Sequence, residues 1–253
     1  MELLQIKELS KNYLTKKNVV CAINKFDLVI NENQFIALVG PSGCGKSTIL
    51  SIIGGLEEKT TGEIIFKNKD LKIGYMFQED ALLPWLTVLD NCLLGLKIQN
   101  KMSDKNIKYV KKLLQKYGLS LFEKSYPNEL SGGMRQRASL IRTLALKPDI
   151  LLLDEPFSAL DYQTRITVSD DVYKIIKEEN KTAIMVTHDI TEAIAIADKV
   201  IVLSKRPATI KNIYEIKFES KGLPSKNRKD PMFNSYYDNI WKDFDANEWK
   251  YRT

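Results

Sequence analysis

The sequence predicts an α/β fold with a mostly parallel sheet, and three observations carry that prediction. Residues 35–39, 150–153, 182–186 and 200–203 are short runs of apolar residues, as expected of strands buried on both faces. Longer stretches with helical spacing separate them, such as residues 162–179. Directly after the first run lies a glycine-rich turn, residues 40–45, with a helix opening near Lys46. Residues 63–66 and 73–77 read as further strands. Residues 19–23 and 26–30 suggest antiparallel strands near the N-terminus.

The interval from about 80 to 147 shows no convincing strand and reads as an inserted helical subdomain. Within it Ser103 is an N-cap candidate, Ile107, Val110, Leu113 and Leu114 repeat at helical spacing, and Gly118 follows as a C-cap. Residues 217–229 hold five basic residues and one acidic residue, with Gly222 and Pro224, and read as a linker. Phe233, Tyr236, Tyr237, Ile240, Trp241 and Phe244 then form one apolar stripe of a short helix. Two readings stay open for the stripe: packing on its own domain, or a partner surface.

Composition sets the outer limits. The chain has 253 residues, 44% hydrophobic and 28% charged, which excludes disorder as the main state. No charge-free apolar run reaches the roughly 18 residues that a membrane span needs, and the start lacks the pattern of a signal peptide. The expectation is a cytoplasmic protein. A net charge of +6 raises nucleic acid or an anionic surface as partners, but the Lys residues are dispersed and no basic block is interleaved with aromatics. Cys21, Cys44 and Cys92 show no CxxC spacing, so reduced thiols are expected.

The chemistry-bearing motifs follow the strands. Gly40-Pro41-Ser42-Gly43-Cys44-Gly45-Lys46-Ser47, followed by Thr48, fits GxxxxGK[ST] in a strand–loop–helix context. Backbone N–H groups of such a loop point at a phosphate, and the helix dipole adds to their pull. Lys46 would reach the β- and γ-phosphates of a nucleotide, and Ser47 would ligate Mg²⁺. The core is thus a P-loop NTPase core. Asp154 and Glu155 end the next apolar strand, where ligands bind in open parallel sheets. Adjacent strand residues point to opposite sides, so Asp154 is assigned to Mg²⁺ and Glu155 to activation of the attacking water.

With Leu130-Ser131-Gly132-Gly133-Met134 the chain resembles the ATP-binding-cassette family of transport ATPases, over roughly residues 1–220. Gln78 looks like the family's Q-loop glutamine and a further Mg²⁺ contact. Asp161, in Ser158-Ala159-Leu160-Asp161, looks like the D-loop aspartate, His188 like the switch histidine, and Tyr13 like the aromatic that stacks on adenine. The resemblance implies residues 1–220 as the ATPase domain with the helical subdomain inserted, and residues 221–253 as linker and amphipathic helix. It also implies ATP and Mg²⁺ as cofactors and a head-to-tail dimer, in which Ser131, Gly132, Gly133 and Asp161 complete the second subunit's site.

Met134 departs from the family's commonest residue, Gln. Together with residues 81–88 and the aromatic tail it is similar to import cassettes for nitrate, sulfonate, taurine and related anions. The implied partners are a second, identical ATP-binding subunit, two membrane permease subunits and a solute-binding protein, without nucleic acid. The implied place is the cytoplasmic face of the membrane. A soluble cassette ATPase acting on nucleic acid or the ribosome is the alternative. Pro84 and Trp85 read as a docking surface for a membrane-subunit helix or as subdomain core. Tyr13 reads as a stacking or a packing residue. Cys44 reads as filler whose alkylation would block the loop.

Overall fold

The computed structural model describes residues 1–15 and 18–245. The chain begins with β1 (Glu2–Leu14), β2 (Val19–Asn31), β3 (Phe35–Val39) and α1 (Lys46–Ile53). It continues with β4 (Thr61–Phe66), β5 (Ile73–Met76), α2 (Val88–Ile98), α3 (Asp104–Lys116) and α4 (Gly132–Leu144). Then follow β6 (Ile150–Asp154), α5 (Tyr162–Glu178), β7 (Thr182–Thr187), α6 (Ile190–Ile196), β8 (Lys199–Leu203) and β9 (Ile210–Glu215). The last helices are α7 (Pro224–Asn227) and α8 (Met232–Asp245).

A six-stranded sheet runs in the order β5-β6-β7-β3-β8-β9. Its first five strands are mutually parallel, and β9 closes one edge antiparallel to β8. Strands β3, β6, β7 and β8 are covered on both faces, which explains their near-continuous apolar runs. Phe35, Ala37 and Val39 of β3 join the core shared with the helices α2 to α6 and α8. Ile36 and Leu38 point the other way, to α1 and a second, antiparallel sheet of order β2-β1-β4.

Residues 88–144 hold the helices α2, α3 and α4 and no strand. Ser103 caps α3 by accepting from Asn106 N–H at 3.3 Å, and Val110, Leu113 and Leu114 are buried. The helix ends one residue before the expected glycine cap: Tyr117 is the C-cap, and Gly118 follows at φ 74°. Leu119 N–H then donates to the Leu114 carbonyl at 2.7 Å, the bond that an αL residue after a helix makes possible. Among the described residues no helix is long and apolar enough to cross a membrane.

The structure differs from the sequence reading in four places. Residues 2–14 form a strand that no alternation announces, because backbone irregularities around Glu8 (φ 45°) break the period of two. The two runs in residues 19–30 belong to one strand, β2, interrupted at Lys25 (φ 48°). Strand β9 is mostly exposed and carries little apolar signal.

The fourth difference is the stretch read as a linker, which is bound down on the domain. Lys221 donates to Asp198 at 2.5 Å, Ser225 N–H donates to Asp170 at 2.8 Å, and Asn227 is 1% exposed with its amide donating to the Ala195 carbonyl. Beyond it, Phe233 and Ile240 of α8 enter the main core, with Tyr236, Tyr237 and Phe244 against it. Trp241 stays 45% exposed and stacks on Tyr237. Residues 246–253 lie outside the described residues.

Deleting a buried branched side chain leaves a cavity that costs about 2–5 kcal/mol. Ile240→Ala is therefore expected to lower stability by that amount in urea unfolding. An unchanged unfolding midpoint would show that α8 does not belong to the folded core.

Candidate active site

Parallel strands end on one side, so the residues after β5, β6, β7, β3 and β8 gather along one edge of the sheet. The loop after β3 curls with Gly43 at φ 72° and Gly45 at φ 124°, backbone that side chains disfavour. A Cβ at Gly45 would sit 3.1 Å from the Ala22 carbonyl, so α1 can start only because this position is glycine. Lys46 is 5% exposed, and its ammonium donates to the Gly40 and Pro41 carbonyls at 2.8 and 3.2 Å. Two of its three N–H groups are used in this way, and the third remains for a ligand. Ser42, Gly43, Gly45, Lys46, Ser47 and Thr48 line an open cavity of about 270 Å³, together with Glu155 and Arg206.

Strand β6 delivers two carboxylates with different partners. Asp154 accepts from Ser47 Oγ at 2.9 Å and from Tyr75 Oη at 3.1 Å. Burial pushes its carboxyl above the ordinary range, and these two hydrogen bonds oppose that shift. Glu155 leaves the strand in a left-handed conformation, φ 43°, which redirects its side chain away from Asp154's partners. Its Oε2 lies 3.0 Å from Nδ1 of His188, the residue that follows β7. His188 is exposed. With Nδ1–H donating to the carboxylate, Nε2 can donate to a ligand only in the imidazolium form.

Gln78 is exposed and its amide donates to Ser158 Oγ at 3.4 Å, while Ser158 donates to the Glu155 carbonyl at 3.0 Å. The structure therefore links Gln78 to the Glu155 turn and does not bring it to the Ser47–Asp154 pair. Tyr13 Oη lies 3.4 Å from Thr48 Oγ1, and Lys11 Nζ stands 4.9 Å from the ring centroid. The tyrosine thus flanks the first turn of α1.

Ser131, Gly132, Gly133 and Asp161 do not line this cavity. Ser131 is exposed and caps α4, accepting from Met134 N–H at 3.3 Å. A Cβ at Gly133 would meet Val168 at 2.8 Å, so the glycine lets α4 approach α5 closely. Met134 packs its side chain on the core. Asp161 is exposed and caps α5 through Thr164 N–H at 3.1 Å. Trp85 is 70% exposed, so it does not form part of the subdomain core.

Cys44 fills space, as read from the sequence, but its burial opposes the alkylation expected there. Its side chain is 1% exposed and packs in the core beneath the loop, where a Cβ on Gly40 would come within 2.9 Å of Sγ. Burial raises its thiol, so the nucleophilic thiolate is scarce. The sequence reading also passed over Tyr75 and Arg206. Tyr75 sits three residues before Gln78 on β5, and its only sequence signal is that position.

Comparison with known proteins places this geometry. A family model described as ABC transporter matches residues 23–158. The chain is 43% identical to the uncharacterized ABC transporter ATP-binding protein YtlC of Bacillus subtilis, over 98% of both chains. It is 40% identical to the aliphatic sulfonates import ATP-binding protein SsuB of Bacillus cereus, over 85% of this chain and 86% of that one. It is 36% identical to the nitrate import ATP-binding protein NrtD of Synechocystis, over 94% and 93%. Among solved structures it is similar to the dimeric post-hydrolysis state of the ATP-binding cassette MJ0796 bound to ADP and Pi. That match has a TM-score of 0.72 and 33% identity, and covers 85% of this chain and 99% of that one.

Two outcomes follow from the geometry. Cys44 is expected to react with a thiol reagent far more slowly than the half-buried Cys21, read by mass spectrometry of the labelled peptides; equal rates would contradict its burial. Tyr13→Ala is expected to weaken ATP binding at least fivefold if the ring stacks on the base, since such stacking contributes about 1–3 kcal/mol; unaltered affinity would leave Tyr13 a packing residue. The loop, the carboxylates and the relatives lead to one statement: the chain belongs to the ABC transporter family and is its ATP-hydrolysing cassette.

Proposed function

We propose that this cassette energises uptake of a small anion of the sulfonate or nitrate type. It works as a homodimer on the cytoplasmic face of the membrane, bound to two membrane subunits that a solute-binding protein supplies. Support for the solute class comes from the import proteins SsuB and NrtD, whose similarity runs through most of the chain. Support for the dimer comes from one observation above all: the Ser131 cap of α4 is exposed and lies outside the cavity of its own chain. A second copy placed head to tail would bring Ser131, Gly132, Gly133 and Asp161 against the nucleotide held by the first. The exposed Trp85, between the Gln78 segment and α2, offers the surface for a membrane subunit.

The residues fit the hydrolysis of ATP. Loop N–H groups from Ser42 to Thr48 and the Lys46 ammonium would hold the phosphates. Ser47 Oγ and Asp154 Oδ1 are hard oxygen donors 2.9 Å apart, suited to Mg²⁺ that takes its other ligands from phosphate and water. Bound there, the ion would neutralise charge on the β- and γ-phosphates. Glu155 would accept the proton of a water whose oxygen attacks the γ-phosphorus, while the bond to the bridging oxygen breaks and ADP leaves with the electron pair. His188, held by Glu155, would donate to the charge that develops on the transferred group.

His188→Ala is expected to keep ATP affinity and lower turnover at least tenfold, measured by phosphate release; unchanged turnover would remove His188 from the reaction. The transport reading is tested by purifying the cassette with its membrane subunits in liposomes. Sulfonates or nitrate, with the binding protein present, are expected to raise ATP hydrolysis severalfold. Stimulation by nucleic acid or ribosomes instead would contradict the importer.

A further inference from the structure

Arg206 stands at the fifth position along the site edge, in the loop that leaves β8 beside the phosphate-binding loop. Its Nη2 and Nε both donate to the Gly43 carbonyl, at 2.9 and 3.2 Å. A guanidinium that binds in this forked way is fixed in orientation as well as position. The residue lines the same cavity as Lys46, Ser47 and Glu155, and also the hollow on the loop's outer flank with Pro41 and Cys44. No carboxylate lies within ion-pair distance of it among the described residues, and its Nη1 has no protein acceptor among them. Its charge reaches into the loop, where it acts with Lys46 against the burial that raises the Cys44 thiol. Lys46, by contrast, gives two of its three N–H groups to the Gly40 and Pro41 carbonyls.

We propose that Arg206 is a second cation of the nucleotide site, held by the Gly43 carbonyl at the rim of the phosphate cavity with its free N–H groups directed to the polyphosphate. It belongs to the nucleotide-binding residues, and it acts by charge. Gly43, whose carbonyl holds the guanidinium, lies at φ 72°, a backbone conformation that side chains disfavour. The inference rests on the reading of residues 40–48 as an ATP loop.

The test uses the full chain with MgATP, MgADP and inorganic tripolyphosphate, binding being read by calorimetry at several salt concentrations. Arg206→Gln is expected to weaken all three about tenfold and to reduce the salt dependence of binding, because one phosphate-facing cation has gone. Arg206→Lys, which keeps the charge and loses the fork, is expected to recover most of the salt dependence. Arg206 is exposed, so both variants are expected to unfold at the parent temperature. Lys46→Ala serves as the control for the loop itself. If Arg206→Gln binds as the parent does while Lys46→Ala does not, the proposal fails and the ATP site stands. If Lys46→Ala also binds unchanged, the ATP reading fails. A loss of affinity in Arg206→Gln with an unchanged salt dependence would make the residue a loop support alone and overturn the proposal.

Discussion

Five parallel strands that end on one edge are the constraint on which the site depends. A strand's carboxyl end presents its next residues beyond the sheet, and neighbouring strands lie about 4.8 Å apart. Side chains from loops remote in sequence thus come within hydrogen-bond reach without any long-range search. Ser47 meets Asp154 because β3 and β6 flank β7, and Glu155 meets His188 because β6 and β7 are neighbours in the same sense. The order β5-β6-β7-β3-β8 places Gln78, the carboxylates, the histidine, the phosphate loop and Arg206 in one row.

The two carboxylates show how backbone geometry divides labour between adjacent residues. Asp154 is the last residue of its strand and keeps the strand's direction toward Ser47 and Tyr75. Glu155 turns through the left-handed region and meets a different partner. A residue other than glycine in that region carries strain of order 1–3 kcal/mol, and such strain persists only where the surroundings hold it. Here Glu155 N–H donates to the Val186 carbonyl and its own carbonyl accepts from Ser158, so the turn is fixed at both ends.

Much of this was legible in the sequence, and the reason is local. A strand buried on both faces must be apolar throughout, and a loop that bends back on a phosphate needs glycine at set positions. Both leave marks within a few residues, as at 35–48 and 150–155. What escaped depends on partners distant in the chain. Arg206 owes its place to β8 lying beside β3, and Tyr75 owes its hydrogen bond to β5 lying beside β6. Neither adjacency is written near the residue. The tail misled for a related reason: Lys221, Ser225 and Asn227 look like a polar linker until Asp198, Asp170 and the Ala195 carbonyl are seen opposite them. Cys44 was read as filler within the loop, and its side chain does face the core; what the sequence did not show is that burial shields the thiol from reagents.

In the proposed dimer each reaction centre is shared between two copies, because the Ser131 helix start lies apart from the loop of its own chain. The most direct measurement is the ATPase rate per molecule as a function of protein concentration, with mass determined in solution under the same turnover conditions. A shared centre predicts a specific rate that climbs with concentration and tracks the fraction of dimer. A full rate from a species that remains a single copy throughout would contradict it.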